Sequence, residues 1–392
     1  MASMDAAKES GSAVGEEEAS AYSRLLGELG REAQRCCHEV APNPCVGAAV
    51  VRGGHVVARG IHEFWGGLHA ETKALEAAAA AGFRPAPGDA LVVTLEPCSS
   101  QGKQPPCTEA ILSSGVARVI VGEVDPDPRH RGRGLALLRE RGLDVVVLPG
   151  HARLAEVSRH FLHWTDADRL RRPRPWTIAK WAQTRTGQLS PPPEVGEGRW
   201  ISGPLSLAEV QILRGRVDAV LTGIGTVLAD DPRLTVRAPG NRGRPPLRAV
   251  LDTELRTPPD ARLLHATGLE EAGGEVVLFC RPGAAPARHR DLERAGARVE
   301  YVRPGEDGRL SLREVARILY VRGVRRMLLE AGPTLLAAWF EAELVDQARV
   351  YTGNVNGGRG PSLAERLARR KLENVAFTVV GDDERLDAFV KG

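Results

Sequence analysis

His69-Ala70-Glu71, then Pro97-Cys98, then Pro106-Cys107, are the residues whose types and spacing can do chemistry in this chain. One imidazole and two thiols are three ligands for zinc, which takes four and favours nitrogen and sulfur. The open fourth position admits water and lowers its pKa toward ~7. Such a water attacks an amidine-like ring carbon. Glu71 is not a ligand in this scheme. It takes a proton from the water and delivers it to the ring nitrogen and the departing ammonia, as base and then as acid. A surface His and two unrelated buried cysteines would have no reason to share this order and these flanking prolines.

The surrounding residues must position these groups. The apolar run Ala90 to Leu95 reads as a buried strand that delivers Glu96-Pro97-Cys98 at its end. Cys107 precedes Thr108 to Leu112, which reads as the first turns of a helix. Glu71 opens an Ala- and Leu-rich helix, Thr72 to Ala81, stopped by Gly82. The ligands then lie at helix N-termini, where the dipole favours a thiolate.

Nucleoside and nucleic-acid deaminases of this type place two residues between the cysteines, whereas here Ser99 through Pro106 intervene. With that loop come Pro42-Asn43-Pro44, Val46-Gly47-Ala48, Gly60-Ile61-His62 and Gly66-Gly67. Together they resemble the deaminase half of the bifunctional riboflavin-biosynthesis deaminase–reductase family. The resemblance implies a cytidine-deaminase-like α/β/α sandwich acting on a diaminopyrimidinone with a ribosylamino 5′-phosphate. It implies that Asn43, His62 and Lys103 contact substrate, and a lysine suits a phosphate as a flexible point charge. Read singly, Lys103 also fits a solvated loop, His62 a structural role and Asn43 a turn. The family's His after Cys-Ser is Ser100 here.

With 392 residues the chain is too long for one ordinary core and suggests two domains. A net charge of +3 points to no nucleic-acid or membrane surface. The first 21 residues, Met1 to Ala21, read as a disordered acidic tail without the basic start and apolar centre of an export signal. A cytoplasmic location follows, with the six cysteines reduced. Cys36, Cys37, Cys45 and Cys280 read as packing residues.

A first helix is expected near Ser20, then a hairpin around Gly53-Gly54, then alternating helices and strands to about Gly150. The deaminase domain is expected over 22–150 and a helical connector with a basic, Pro-stiffened linker over 151–175. A second, mostly parallel α/β domain is expected over 176–392.

That half lacks a Gly-x-Gly-x-x-Gly opening a helix. Gly223-Ile224-Gly225 follows a strand, with no helix pattern after it. Glu330-Ala331-Gly332-Pro333-Thr334 joins a strand to a helix whose free N–H groups suit a pyrophosphate. Gly223 through Arg237 puts hydroxyl, carboxylate and guanidinium groups just beyond a strand. Together these resemble the reductase half of the same family, which implies a dihydrofolate-reductase-like fold, NADPH as cofactor and a homodimer through this domain. By resemblance Trp200, Thr226, Asp230, Thr253 and the segment Gly332, Pro333, Thr334 through Ala338 line the NADPH site. Arg214, Leu234, Arg237 and Glu330 line the substrate site. Singly, Asp230 also fits a turn cap and Trp200 a core residue. The family's acid and base after the opening strand are Thr186 and Gln188 here, and its Ser before a basic residue and Trp is Gly198. An alternative expectation is therefore an active deaminase whose reductase is decayed or serves a related pyrimidine or pteridine pathway.

Overall fold

The computed structural model describes residues 15–86, 88–193, 201–237, 244–265, 273–305 and 307–391. It forms two compact units, Met1–Arg172 and Pro173–Gly392. The first carries α1 (Glu16–Gln34), α2 (Cys37–Val40), β1 (Gly47–Arg52), β2 (His55–Ile61), α3 (Ala70–Ala80), β3 (Ala90–Val93), α4 (Cys107–Ser114), β4 (Arg118–Val121), α5 (Arg133–Glu140) and β5 (Asp144–Val147). Three short helices follow, α6 (Leu154–Val157), α7 (Arg159–Trp164) and α8 (Ala167–Arg171).

Its sheet runs β2-β1-β3-β4-β5, antiparallel through β1 and parallel from β3 to β5. Strand alternation divides the core in two. Leu91, Val93, Val119 and Val121 pack with Ala74, Ile111 and Leu138 of α3, α4 and α5. Ala90, Val92 and Ile120 pack with Leu25, Leu26 and Leu29 of α1. The layers are therefore helix, sheet, helix, as expected. Helix α1 corrects the end of the expected tail, Glu16 to Ala21, and the start near Ser20, whereas residues 1–14 of that tail lie outside the described residues. Glu16, Glu17 and Glu18 form its first turn, where carboxylates complement the helix dipole. The connector belongs to this unit, because Leu154 and Phe161 join its core.

The second unit contains β6 (Trp176–Gln183), β7 (Gln188–Ser190), α9 (Pro204–Gly215), β8 (Ala219–Gly223), α10 (Ile224–Asp230), β9 (Leu247–Leu251), α11 (Arg262–His265), β10 (Val276–Cys280), α12 (Pro286–Arg294) and β11 (Ala297–Tyr301). It continues with α13 (Leu312–Val321), β12 (Arg326–Glu330), α14 (Pro333–Glu341), β13 (Gln347–Thr352), β14 (Arg359–Ser362), α15 (Ala364–Ala368), β15 (Lys371–Val380) and β16 (Asp383–Lys391). The main sheet is ordered β11-β10-β9-β8-β12-β6-β13-β16-β15. It is parallel from β11 to β13, and the β13–β16 and β16–β15 pairs are antiparallel. One face packs Trp181, Met327 and Leu329 on Leu319, Leu336 and Trp339. At β9 and β10 the other face packs Val250 and Leu278 on Val227, Leu263 and Leu292.

Helix α10 corrects the expectation of no helix after Gly225. Two glycines and a β-branched threonine give its start poor intrinsic propensity. Tertiary burial of Val227 compensates.

Candidate active sites

The end of β3 and the N-termini of α3 and α4 converge in the first unit. His69 is the N-cap of α3 and Cys107 is the first residue of α4. His69 Nδ1 lies 3.2 Å from Cys107 Sγ and 3.6 Å from Cys98 Sγ. All three donor atoms fall within 4.8 Å of one another. Zinc bonds of ~2.0 Å to nitrogen and ~2.3 Å to sulfur give tetrahedral N–S edges of about 3.5 Å, so the donors fit that ion. The Cys107 amide donates to Cys98 Sγ at 3.3 Å. The thiol of Cys107, opposed by burial and aided by His69, lowers the Cys98 pKa to about 4.

Glu71, in the first turn of α3, is buried. Burial pushes its carboxyl upward, with the His69 charge partly opposing. Such a base sits closer to neutrality than a solvated carboxylate.

Buried Glu96 accepts from the amides of Asp125, Gly132 and Gly134 at 3.1, 2.9 and 2.8 Å. These bonds hold the turn that delivers Cys98. Gly134 presses against the same turn, because a Cβ there would stand 2.0 Å from the Pro97 carbonyl oxygen. Gly134→Ala is expected to lower zinc affinity about 10–100-fold, the usual cost of disturbing ligand support, as read by competition with a chromogenic chelator.

Asn43 and His62 meet. Asn43 Nδ2 is 3.3 Å from His62 Nε2, and His62 Nδ1 is 3.0 Å from the Leu68 carbonyl. A proton on Nδ1 satisfies both, with Asn43 donating to Nε2. The His62 and His69 rings pack edge to face at 5.1 Å, which brings this pair to the donor triad. Lys103 stands in the loop between the cysteines, its Nζ 3.8 Å from the Trp65 ring centre.

His160 of α7 gave no signal in the sequence, yet its Nε2 donates to the Asn43 carbonyl at 2.8 Å. Burial lowers its pKa from 6.5 to about 4, the Asn43 carbonyl partly opposing. The folded-state pKa is depressed, so the unfolded chain takes up this proton first. The associated stability is complete above 6.5 and is lost as the pH falls toward 4. His160→Gln is expected to flatten that part of the pH profile, as read from unfolding midpoints of the zinc-loaded protein.

In the second unit the carboxyl ends of β9, β8, β12 and β6 lie side by side, where ligands bind in open α/β sheets. Gly332 caps α14, Pro333 is its first residue and Thr334 is exposed. Thr226 Oγ1 stands 3.9 Å from where a Gly332 Cβ would lie, so the loops after β8 and β12 meet. Thr253 follows β9 and receives the Arg281 amide on its carbonyl at 3.1 Å. Asp230 ends α10 exposed. Trp200 and Gly198 lie outside the described residues.

Arg214 of α9 grips Glu330 through two bonds of 2.6 and 2.8 Å. Burial opposes ionisation of Glu330, but the guanidinium prevails and keeps its pKa below the ordinary value. Arg214 also donates to the Thr235 carbonyl at 3.2 Å, and the Arg237 amide to Gln211 Oε1 at 2.9 Å. These bonds hold the 231–237 loop, where Leu234 is buried at φ +53°. Lys180 was not foreseen. It lies opposite Glu330 in the β6–β12 register, on the face away from Ala179 and Trp181. Burial lowers its pKa, with Glu330 opposing. A lone lysine amid Trp-Thr-Ile-Ala and Trp-Ala was the available signal.

Thr186 and Gln188 do not leave a gap in their loop. Thr186 Oγ1 contacts Gln188 Oε1 and accepts the Gly357 amide at 2.9 Å.

Fold and sites thus define a zinc-type deaminase unit followed by a reductase-type α/β unit. Residues 20–123 match the cytidine and deoxycytidylate deaminase zinc-binding region, and residues 175–384 match the RibD C-terminal domain. The riboflavin biosynthesis protein RibD of Aquifex aeolicus is 32% identical over 369 residues, covering 92% of this chain and 96% of that one. Its namesake in Escherichia coli is 34% identical, covering 81% and 84%. A solved structure of Acinetobacter baumannii RibD superposes with a TM-score of 0.65 at 27% identity, covering 96% of this chain and 100% of that one. The chain belongs to the RibD family, and it is a bifunctional deaminase and reductase of riboflavin biosynthesis.

Proposed function

We propose that the first unit deaminates 2,5-diamino-6-ribosylamino-4(3H)-pyrimidinone 5′-phosphate. The second then reduces the ribosyl group with NADPH to give 5-amino-6-(5-phospho-D-ribitylamino)uracil. The observation that carries this reading is the His69, Cys98 and Cys107 triad beside buried Glu71, in a chain matching the RibD reductase domain. Zinc, when bound, supplies a Lewis acid that acidifies a coordinated water. Glu71 accepts the water's proton and passes it to the ring nitrogen and the leaving amine. Asn43 and His62 orient the ring, and Lys103 meets the phosphate.

In the second unit NADPH, when bound, supplies hydride for C1′ of the opened sugar. The N–H groups of Gly332 and Thr334 suit its pyrophosphate, Pro333 shapes the first turn, and Thr226, Asp230, Thr253 and Trp200 complete that site. Arg214, Leu234, Arg237 and Glu330 form the substrate side. The place of Lys180 opposite Glu330 in the β6–β12 register supports a role for it on that substrate side. The intact loop at Thr186 and Gln188 supports an active reductase.

We place the enzyme in the cytoplasm as a homodimer through the second unit. The six free cysteines support a reducing compartment. Exposed Val375, Phe377 and Val379 on edge strand β15 support self-association. No described helix is long and apolar enough to cross a membrane.

The experiment supplies substrate and NADPH to zinc-loaded protein and follows ammonia and NADPH in one tube. Both are expected to change, NADPH loss depending on prior ammonia release. Ammonia without NADPH oxidation would overturn the reductase assignment.

A further inference from the structure

The loop between the two cysteine ligands is fastened to the turn before His69. Gln104 Nε2 donates to the Gly66 carbonyl at 2.8 Å, and the Lys103 ammonium sits 3.8 Å from the Trp65 ring centre. The indole is a fixed surface. Trp65 is only 7% exposed, and its amide donates to the Glu39 carbonyl at 3.0 Å. Gly66 follows at φ +83°, where a Cβ would press to 3.3 Å from the Lys103 stem. The turn thus makes room for that stem while offering an aromatic face to its end.

We propose that Trp65 is a positioning residue for the deaminase, holding the Lys103 ammonium where the substrate's phosphate arrives. The proposal rests on reading Lys103 as the phosphate-binding group. An ammonium is drawn to the negative face of an indole. An unsupported lysine on an exposed loop loses much side-chain freedom when it captures an anion. Trp65 takes up part of that ordering before substrate arrives, which strengthens binding without altering the chemical step. A phosphate still has access, because Lys103 itself is exposed and the indole covers one side of its ammonium.

The test compares ammonia release from the 5′-phosphorylated substrate and from the same ribosylamino compound lacking phosphate. Trp65→Leu is expected to raise KM for the phosphorylated substrate about fivefold, the scale of an exposed cation–π contact. The kcat and zinc content should stay close to wild type, and KM for the phosphate-free compound should not move. Trp65→Phe, which keeps an aromatic face and fills the site better, should recover most of the loss. Inorganic phosphate, used as a competitive inhibitor, should weaken in parallel.

Lys103→Met separates the proposal from the reading beneath it. Both hold if Lys103→Met raises KM for the phosphorylated substrate and Trp65→Leu adds nothing in that background. If Lys103→Met raises KM and Trp65→Leu does not, the positioning role is overturned alone. If neither variant changes KM, the phosphate role of Lys103 falls and takes the proposal with it. Equal changes for both substrates would reduce Trp65 to general support of the turn. A lower KM in Trp65→Leu would mean that the indole withholds the lysine.

Discussion

Glu71→Gln is expected to keep its zinc and to release ammonia about 10³-fold more slowly, within the usual range for loss of a general acid–base group. The substitution preserves shape. Glu71 is 3% exposed, so an amide of similar volume occupies the same space. It removes the one property the step requires, a carboxylate that accepts and returns a proton. Burial raises the Glu71 pKa, and a stronger base suits proton transfer near neutrality. The triad of His69, Cys98 and Cys107 does not include Glu71. The measurement pairs ammonia release at saturating substrate with metal content. An unaltered rate would remove Glu71 from the mechanism. A lost rate with lost zinc would assign it to the metal site's integrity instead.

Arg214→Met is expected to destabilise the second unit by about 3–5 kcal/mol and to abolish NADPH oxidation. Arg214 and Glu330 have side chains only 12% and 13% exposed. Removing the cation leaves Glu330 buried without its two hydrogen bonds, and breaking one side of such a pair carries this cost. The Thr235 carbonyl also loses a donor, so the loop bearing Leu234 and Arg237 loosens. Pairing Arg214→Met with Glu330→Leu separates the two consequences. Apolar replacement of both partners restores much of the stability, whereas a charged substrate site stays lost. Denaturant unfolding reads the first effect and NADPH oxidation the second, with ammonia release as the internal control. A double variant that regains reductase activity would confine the pair to a structural role.

The zinc donors were legible because each is a short local pattern. His69 and Glu71 share one helix start, and each cysteine follows a proline. Helix α13, Leu312 to Val321, is equally local, since its apolar residues Val315, Ala316 and Leu319 recur at helical spacing and are buried. The β15–β16 hairpin carried no comparable signal. Asp383, Glu384, Arg385 and Asp387 put four charges into its second strand. In the sheet, Asp387 binds Arg349, a partner distant along the chain, at 2.6 Å, and its strand neighbour Arg385 at 2.8 Å. His160 and Lys180 escaped for the same reason. Each acquires meaning only from a residue on another element, Asn43 for one and Glu330 for the other.

Local sequence specified the residue types of the triad, the carboxylate beside it, the order of the two domains and the alternation that layers each sheet. These depend on residue chemistry and on contacts a few positions apart. Tertiary structure decided which side chains hold the ligands and loops in place. Glu96 braces the turn before Cys98, Arg214 ties a loop to a strand and Trp65 receives Lys103. Their energies arise from burial and from pairing across long stretches of chain, which no local pattern encodes.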